Sequence, residues 1–197
     1  MLNGLIRTPI TKIMTPVARG LLRVGVTPNM VTAAGTLGAA ASALLLYPTG
    51  HLFGGTIAIT AFIFSDVIDG TMARLSGKSS RWGALLDSTL DRVGDSAMFM
   101  GLVLFYAQHD HLLALLSGIS LAAGGLVPYV KARAESLGVH CDGGIAERAE
   151  RIIVILVSTG VSGLGVPYIG AIGLWLVAVA TVITFLQRMA QVWRSNV

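Results

Sequence analysis

Charge is what this sequence has least of. Only 12% of its 197 residues are Asp, Glu, Lys or Arg, where an ordinary soluble domain carries about 25%. That is too little to cover a water-facing surface, and it excludes a typical cytosolic enzyme. The 54% hydrophobic content excludes a disordered chain. Cysteine is nearly missing too. Cys141 stands alone, so no internal disulfide can form and a disulfide-stapled secreted module is excluded. The lone thiol leaves the redox compartment unread. What the chain has instead is apolar length, and it reads as an integral membrane protein forming one domain over 1–197.

A helical span needs about 20 residues. Six such stretches fit, at 28–47, 53–75, 83–108, 112–134, 147–164 and 168–192. Pro48-Thr49-Gly50 and Gly163-Leu164-Gly165-Val166-Pro167 act as breaks between spans, and His109-Asp110-His111 marks another short connection. Residues 1–27 are different. Leu2, Leu5, Ile6, Ile10, Ile13, Val17, Leu21 and Leu22 alternate with Arg7, Lys12, Arg19 and Arg23 at roughly helical spacing. That reads as a basic amphipathic helix on the membrane surface, although a helix packed on protein would show the same pattern. The first long apolar run begins too late for a cleaved signal peptide, and more spans follow it. The expected fold is all-α: a polytopic membrane protein of six transmembrane helices over 28–192, with an N-terminal amphipathic surface helix.

Orientation follows from the basic residues. With six spans, the termini and the loops after spans 2 and 4 share one side. All 14 Lys and Arg fall there or in the adjoining helix ends. The positive-inside bias makes that side cytoplasmic. The net charge of +4 then argues for no nucleic-acid partner. It suits anionic lipid or a phosphorylated substrate instead.

The acidic residues carry more information. Asp66, Asp69, Asp87, Asp91 and Asp95 lie inside otherwise apolar spans 2 and 3, where a carboxylate is costly and usually functional. Asp66 and Asp69 are three apart and Asp87 and Asp91 four apart, so each pair shares a helix face. A short loop from Ser76 to Trp82 makes the two spans antiparallel neighbours. Four carboxylates in one pocket repel unless cations are present, and oxygen ligation suits Mg²⁺ or Mn²⁺. A structural network with Arg74, Arg81 and Arg92 is the plainer account, but three arginines cannot neutralise five carboxylates. A cation-coupled transporter is the other alternative, but its path would continue across the membrane. These acids sit near one end of two spans.

Asp66, Gly70 and Ala73 form one helical stripe, and Gly83, Asp87 and Asp91 another. Glycine and alanine there let a bulky ligand approach the backbone, or let helices pack closely. Together the residues spell D-x2-D-G-x2-A-R-x8-G-x3-D-x3-D over the 26 residues from Asp66 to Asp91. At these positions the chain resembles the CDP-alcohol phosphotransferase family, and it matches every fixed position of that signature. The resemblance implies a homodimeric enzyme of the cell membrane with both termini and the active site cytoplasmic. It would transfer a phosphatidyl-type group from a CDP-lipid to an alcohol and release CMP. It also implies two divalent metals, Mg²⁺ or Mn²⁺, held by Asp66, Asp69, Asp87 and Asp91, with Asp91 doubling as general base. Gly70, Ala73 and Arg74 would lie against the CDP group. Asn29, Thr32 and Ser80 would line its nucleotide side.

The acceptor is read from the other half. Lys131, Arg133, Arg148, Arg151 and Arg188 would suit a phosphate, or be ordinary positive-inside residues paired with Glu135, Glu147 and Glu150. The stretch Lys131-Ala132-Arg133-Ala134-Glu135, then Asp142-Gly143-Gly144, Glu147-Arg148-Ala149-Glu150-Arg151 and Gln187-Arg188, resembles the family's bacterial branch that uses inositol 1-phosphate. That resemblance implies CDP-diacylglycerol and inositol 1-phosphate as substrates, phosphatidylinositol phosphate as product, and Lys131, Arg151 and Arg188 as the acceptor-phosphate ligands. Glycerol 3-phosphate is the alternative acceptor, and the transporter stays open as a different class.

Overall fold

The computed structural model describes residues 14–77 and 80–195, and over these it is all-helical. Seven helices follow in order: α1 Pro28–Leu46, α2 Leu52–Ile63, α3 Ser65–Ser76, α4 Arg81–Tyr106, α5 His111–Ser136, α6 Arg148–Ser162 and α7 Ile169–Arg194. A helical stretch at 14–23 precedes them. Leu2, Leu5, Ile6, Arg7, Ile10, Lys12 and Ile13 of the expected surface helix lie outside the described residues, as does Lys78.

Local chemistry sets the ends. Thr27 accepts from the Met30 N–H at 3.3 Å, just ahead of Pro28, a polar cap followed by proline in the first turn. Ser80 caps α4 by accepting from the Gly83 N–H at 2.9 Å. Asp110 caps α5 through the Leu112 and Leu113 N–H groups at 2.9 and 3.1 Å. Gly77 closes α3 at φ 64°, the left-handed stop that glycine tolerates.

The six stretches expected from apolar length coincide with helices to within two residues at either end, except that the second is split at Phe64. The split is shallow. Phe64 keeps right-handed angles (φ −62°, ψ −16°), and its N–H still reaches the Thr60 carbonyl at 3.2 Å. Length and composition qualify four stretches to cross a bilayer: Pro28–Leu46, Leu52–Ser76, His111–Ser136 and Ile169–Arg194. Helix α4 carries Asp87, Asp91, Arg92 and Asp95, and α6 has only 15 residues. Large apolar side chains such as Leu45, Phe53, Ile57, Leu115, Ile153 and Leu176 are exposed along these helices, as in a protein whose solvent is lipid.

The fold divides into two compact units. One comprises the described residues of Met1–Ala41 and Ala58–Gly94. In it α1 runs close to the α2–α3 pair. A Cβ at Gly35 would stand 1.8 Å from Ser65 Oγ, and one at Gly38 2.3 Å from the Phe62 ring. The other unit comprises the described residues of Ser42–Ile57 and Asp95–Val197. There α5 and α6 both pack on α7, around buried Leu116, Val127, Ile155, Leu174 and Val177. Cys141 is fully buried beside Val130 and Ala134. In the same unit Arg148 clamps Asp95 through Nε and Nη2 at 2.9–3.2 Å. That ion pair ties α4 to α6 and removes Asp95 from the expected carboxylate cluster.

Candidate active site

The first unit holds the acidic motif. Asp66 and Asp69 are presented by α3, and Asp87 and Asp91 by α4. Asp69 is the buried member, 6% exposed; Asp66 and Asp91 are half-buried and Asp87 is exposed. The Thr32 hydroxyl lies 2.5 Å from Asp69 Oδ2 and 3.1 Å from the Pro28 carbonyl. Asp87 and Asp91 stand near enough for their charges to act on Asp69. Arg92 reaches Asp91 only at 3.9 Å. Among the described residues no three His, Cys, Asp or Glu side chains converge tightly enough to form a ready-made metal cage. The four aspartates are therefore neighbours on two helices rather than a closed coordination sphere. Their chemistry nonetheless fits a hard dication. The donors are all carboxylate oxygens, and the buried one faces like charges with only neutral partners, the Thr32 hydroxyl and the Gly70 N–H.

Of the residues expected around a nucleotide, Gly70, Ala73 and Arg74 share α3 with Asp66 and Asp69, Ser80 precedes α4, and Asn29 and Thr32 lie on α1. A Cβ on Gly70 would meet nothing nearer than Arg74 Nη1 at 3.9 Å, so packing does not demand a glycine there. Arg74 is exposed, and its Nη2 donates to Thr71 Oγ1 at 3.1 Å. Ala73, one turn on from Gly70, is half-buried. Asn29 and Ser80 come together at Gly83, where a Cβ would lie 3.4 Å from Asn29 Oδ1 and 3.2 Å from Ser80 Oγ. Ser80 is occupied as a helix cap, and Thr32 is turned to Asp69. The second engagement joins residues 37 apart, which sequence spacing leaves unconnected.

The second unit holds the basic residues. Arg188 is 7% exposed on α7 and donates from Nε to the Gly143 carbonyl at 3.0 Å and from Nη1 to the Val127 carbonyl at 2.9 Å. It lines a cavity of about 310 Å³ together with Asp142, Gly143, Gly144, Gln187 and Gln191. The loop that walls this cavity is stapled to α7. The Ile145 N–H donates to Gln187 Oε1 at 3.2 Å, and the Ala146 N–H to Thr184 Oγ1 at 3.1 Å. Lys131 approaches the cavity through Asp142, to which it hydrogen-bonds, with Glu135 at 3.8 Å. His140 Nε2 holds the other oxygen of Asp142 at 2.9 Å. The Lys131 hydrogen bond, more than any other influence, holds the Asp142 carboxyl below its usual range. Arg151 is 5% exposed at the start of α6 and is not among the cavity's walls. Of the three expected phosphate ligands, then, Arg188 lines the cavity, Lys131 meets it by way of Asp142, and Arg151 is buried apart from its walls. The sequence reading passed over Gln191, and over the Asp95–Arg148 clamp, whose partners lie 53 residues apart.

Residues 25–191 match the sequence profile of the CDP-alcohol phosphatidyltransferase family. The chain belongs to that family. Among curated members it is similar to the phosphatidylinositol phosphate synthase of Streptomyces avermitilis, at 48% identity covering 100% of this chain and 84% of the relative. It is 46% identical to the Mycobacterium tuberculosis enzyme of the same name, covering 96% of this chain and 89% of that one. A crystal structure of the M. tuberculosis enzyme with CDP-DAG bound superposes with a TM-score of 0.89, covering 92% of this chain and 94% of that one. The same CDP-alcohol phosphatidyltransferase solved in complex with manganese and citrate gives 0.88, covering 91% and 88%.

Proposed function

We propose that this chain is a membrane enzyme transferring a phosphatidyl group from CDP-diacylglycerol to a hydroxyl of inositol 1-phosphate, yielding phosphatidylinositol phosphate and CMP. The observation that carries the reading is 48% identity over the whole chain to an enzyme named for that product. In the reaction the acceptor oxygen attacks the lipid-side phosphorus. That O–P bond forms as the bond to CMP breaks, CMP keeps the electron pair, and the hydroxyl proton must leave.

Asp66, Asp69, Asp87 and Asp91 are the residues that would hold two Mg²⁺ or Mn²⁺ ions. When bound, such ions neutralise the diphosphate and stabilise the oxygen that leaves with CMP. Asp91 takes the proton of the attacking hydroxyl as general base. Gly70 and Ala73 leave room for the CDP group to lie against α3, and Arg74 offers it a mobile cation. Asn29, Thr32 and Ser80 line the nucleotide side. Lys131, Arg151 and Arg188 bind the acceptor phosphate by charge-assisted hydrogen bonds, with Lys131 exchanging Asp142 for the incoming anion. The chain acts as one domain over 1–197 and as a homodimer. It crosses the bilayer six times, α4 and α6 included, with both termini and the active site cytoplasmic.

Glycerol 3-phosphate carries the same phosphate, so Arg188 and its cavity alone would accept it too. Membranes containing the full chain, given CDP-diacylglycerol and Mg²⁺, should release CMP with inositol 1-phosphate and cease when the metal is chelated. CMP release with glycerol 3-phosphate but not inositol 1-phosphate would reassign the acceptor. No CMP with either, from folded protein, would sink the transferase reading.

A further inference from the structure

We infer that Thr32 is a positioning residue for the metal site, orienting Asp69 through its hydroxyl. The inference rests on the proposed role of Asp69 as a metal ligand. Asp69 and Thr32 are 6% and 7% exposed, so both side chains meet in a largely buried position. The Thr32 hydroxyl meets Oδ2 of Asp69 at 2.5 Å, with the Pro28 carbonyl one helical turn back as a second, longer acceptor for the same proton at 3.1 Å. Helix α1 opens at the Thr27-Pro28 cap, so the hydroxyl sits at the start of the second turn of a helix whose start is fixed. Gly35, less than one turn beyond Thr32, admits Ser65 to a distance that no Cβ would allow. The two helices are thereby held close on the side where Thr32 and Asp69 meet.

The consequence for the site is geometric. Oδ2 of Asp69 is tied to α1, and the Gly70 N–H gives the carboxylate a second hydrogen bond within its own helix; of the two, only the Thr32 bond ties it to another helix. Without that bond, Asp69 would face the charges of Asp87 and Asp91 with only the local Gly70 N–H to hold its orientation. Outer residues that orient metal ligands in this way typically contribute about 10–100-fold to metal affinity. A hydroxyl is the economical choice here. It orients the carboxylate without cancelling the negative charge that attracts the metal.

The test is a Mn²⁺ titration of the detergent-purified, chelator-stripped full chain, followed by EPR in the absence of nucleotide. Thr32→Val keeps the shape and removes the hydroxyl, and it should weaken Mn²⁺ binding by about 10–100-fold. Thr32→Ser restores the hydroxyl and should return the affinity close to that of the parent. Asp69→Asn is the reference variant and should lose at least as much. Thr32→Val with parental Mn²⁺ affinity overturns the inference while Asp69→Asn still loses binding. So does a Thr32→Ser variant as weak as Thr32→Val, which would make the residue a packing element. Weakened CDP binding in chelator with unchanged Mn²⁺ affinity would place Thr32 on the nucleotide alone and also overturn it. Asp69→Asn with parental affinity would remove the carboxylate assignment itself, and the inference with it.

Discussion

Gly35 and Gly70 are glycines in the same unit, present for different physical reasons. At Gly35 a Cβ would stand 1.8 Å from Ser65 Oγ and 2.8 Å from its Cβ, so the helices could not keep their spacing around a larger residue. At Gly70 the only atom within 4 Å is the tip of Arg74, at 3.9 Å. Glycine inside a helix costs roughly 0.5–1 kcal/mol relative to alanine, and packing gives no compensation at Gly70. We expect Gly70→Ala to unfold no more easily than the parent, or to be slightly more stable. Its KM for CDP-diacylglycerol should rise by an amount equivalent to about 1–3 kcal/mol, the usual cost of overfilling a fitted space. Gly35→Ala should show the reverse, a lowered melting temperature in detergent. Unchanged kinetics for Gly70→Ala would take that residue out of the nucleotide site. The motif around Gly70 is legible in the sequence because its spacings are those of one helix face. The Thr32–Asp69 bond is not, because it joins residues 37 apart and nothing local to either announces the other.

At the scale of elements, the loop between α5 and α6 takes its shape from its glycines. Gly143 and Gly144 hold φ of 93° and 126°, in a region that side chains disfavour. A Cβ on Gly144 would come within 2.3 Å of Thr184 Cγ2 on α7. Gly144→Ala therefore combines backbone strain with a clash, and should cost about 1–3 kcal/mol of stability. It should also pull the Gly143 carbonyl away from Arg188. The readout is selective: KM for inositol 1-phosphate should rise while KM for CDP-diacylglycerol holds. A rise in both would mean that the loop supports the fold in general rather than the acceptor cavity. Helix ends were legible because apolar runs stop at proline, glycine or a capping side chain such as Asp110. The break at Phe64 was not, because Ala61, Phe62 and Ile63 just before it include no proline, glycine or capping side chain to mark it. Nor was the pairing of Asp95 with Arg148. In sequence Asp95 continues the spacing of Asp87 and Asp91, and only the tertiary fold hands it a cation.

For the whole molecule, the scarce charges bear on how many of the helices cross the membrane. Helix α4 has 26 residues, about 39 Å at 1.5 Å per residue, ample for a hydrocarbon core of about 30 Å. What sets it apart from the four apolar spans is its charge, which includes Asp87, Asp91, Arg92 and Asp95. Helix α6 has 15 residues, about 22 Å, and crosses only with help from local thinning and its flanking residues. If α4 and α6 did not cross, the loop after α5 would move to the outer side, taking Lys131, Arg133, Arg148 and Arg151 with it. That distribution would defy the positive-inside bias. Six crossings keep those four residues cytoplasmic with Arg74 and Arg81. The two arrangements differ at Leu137 and Leu164, both exposed. With six crossings they lie on opposite sides of the membrane, and with four they share one. Cys141 is fully buried and should stay silent to a membrane-impermeant maleimide. We expect Leu164→Cys to label in right-side-out vesicles and Leu137→Cys only in inside-out ones. Labelling of both from the same side would reduce the crossings to four and put the Arg188 cavity's loop outside the cell. A soluble acceptor made in the cytoplasm could not then reach it.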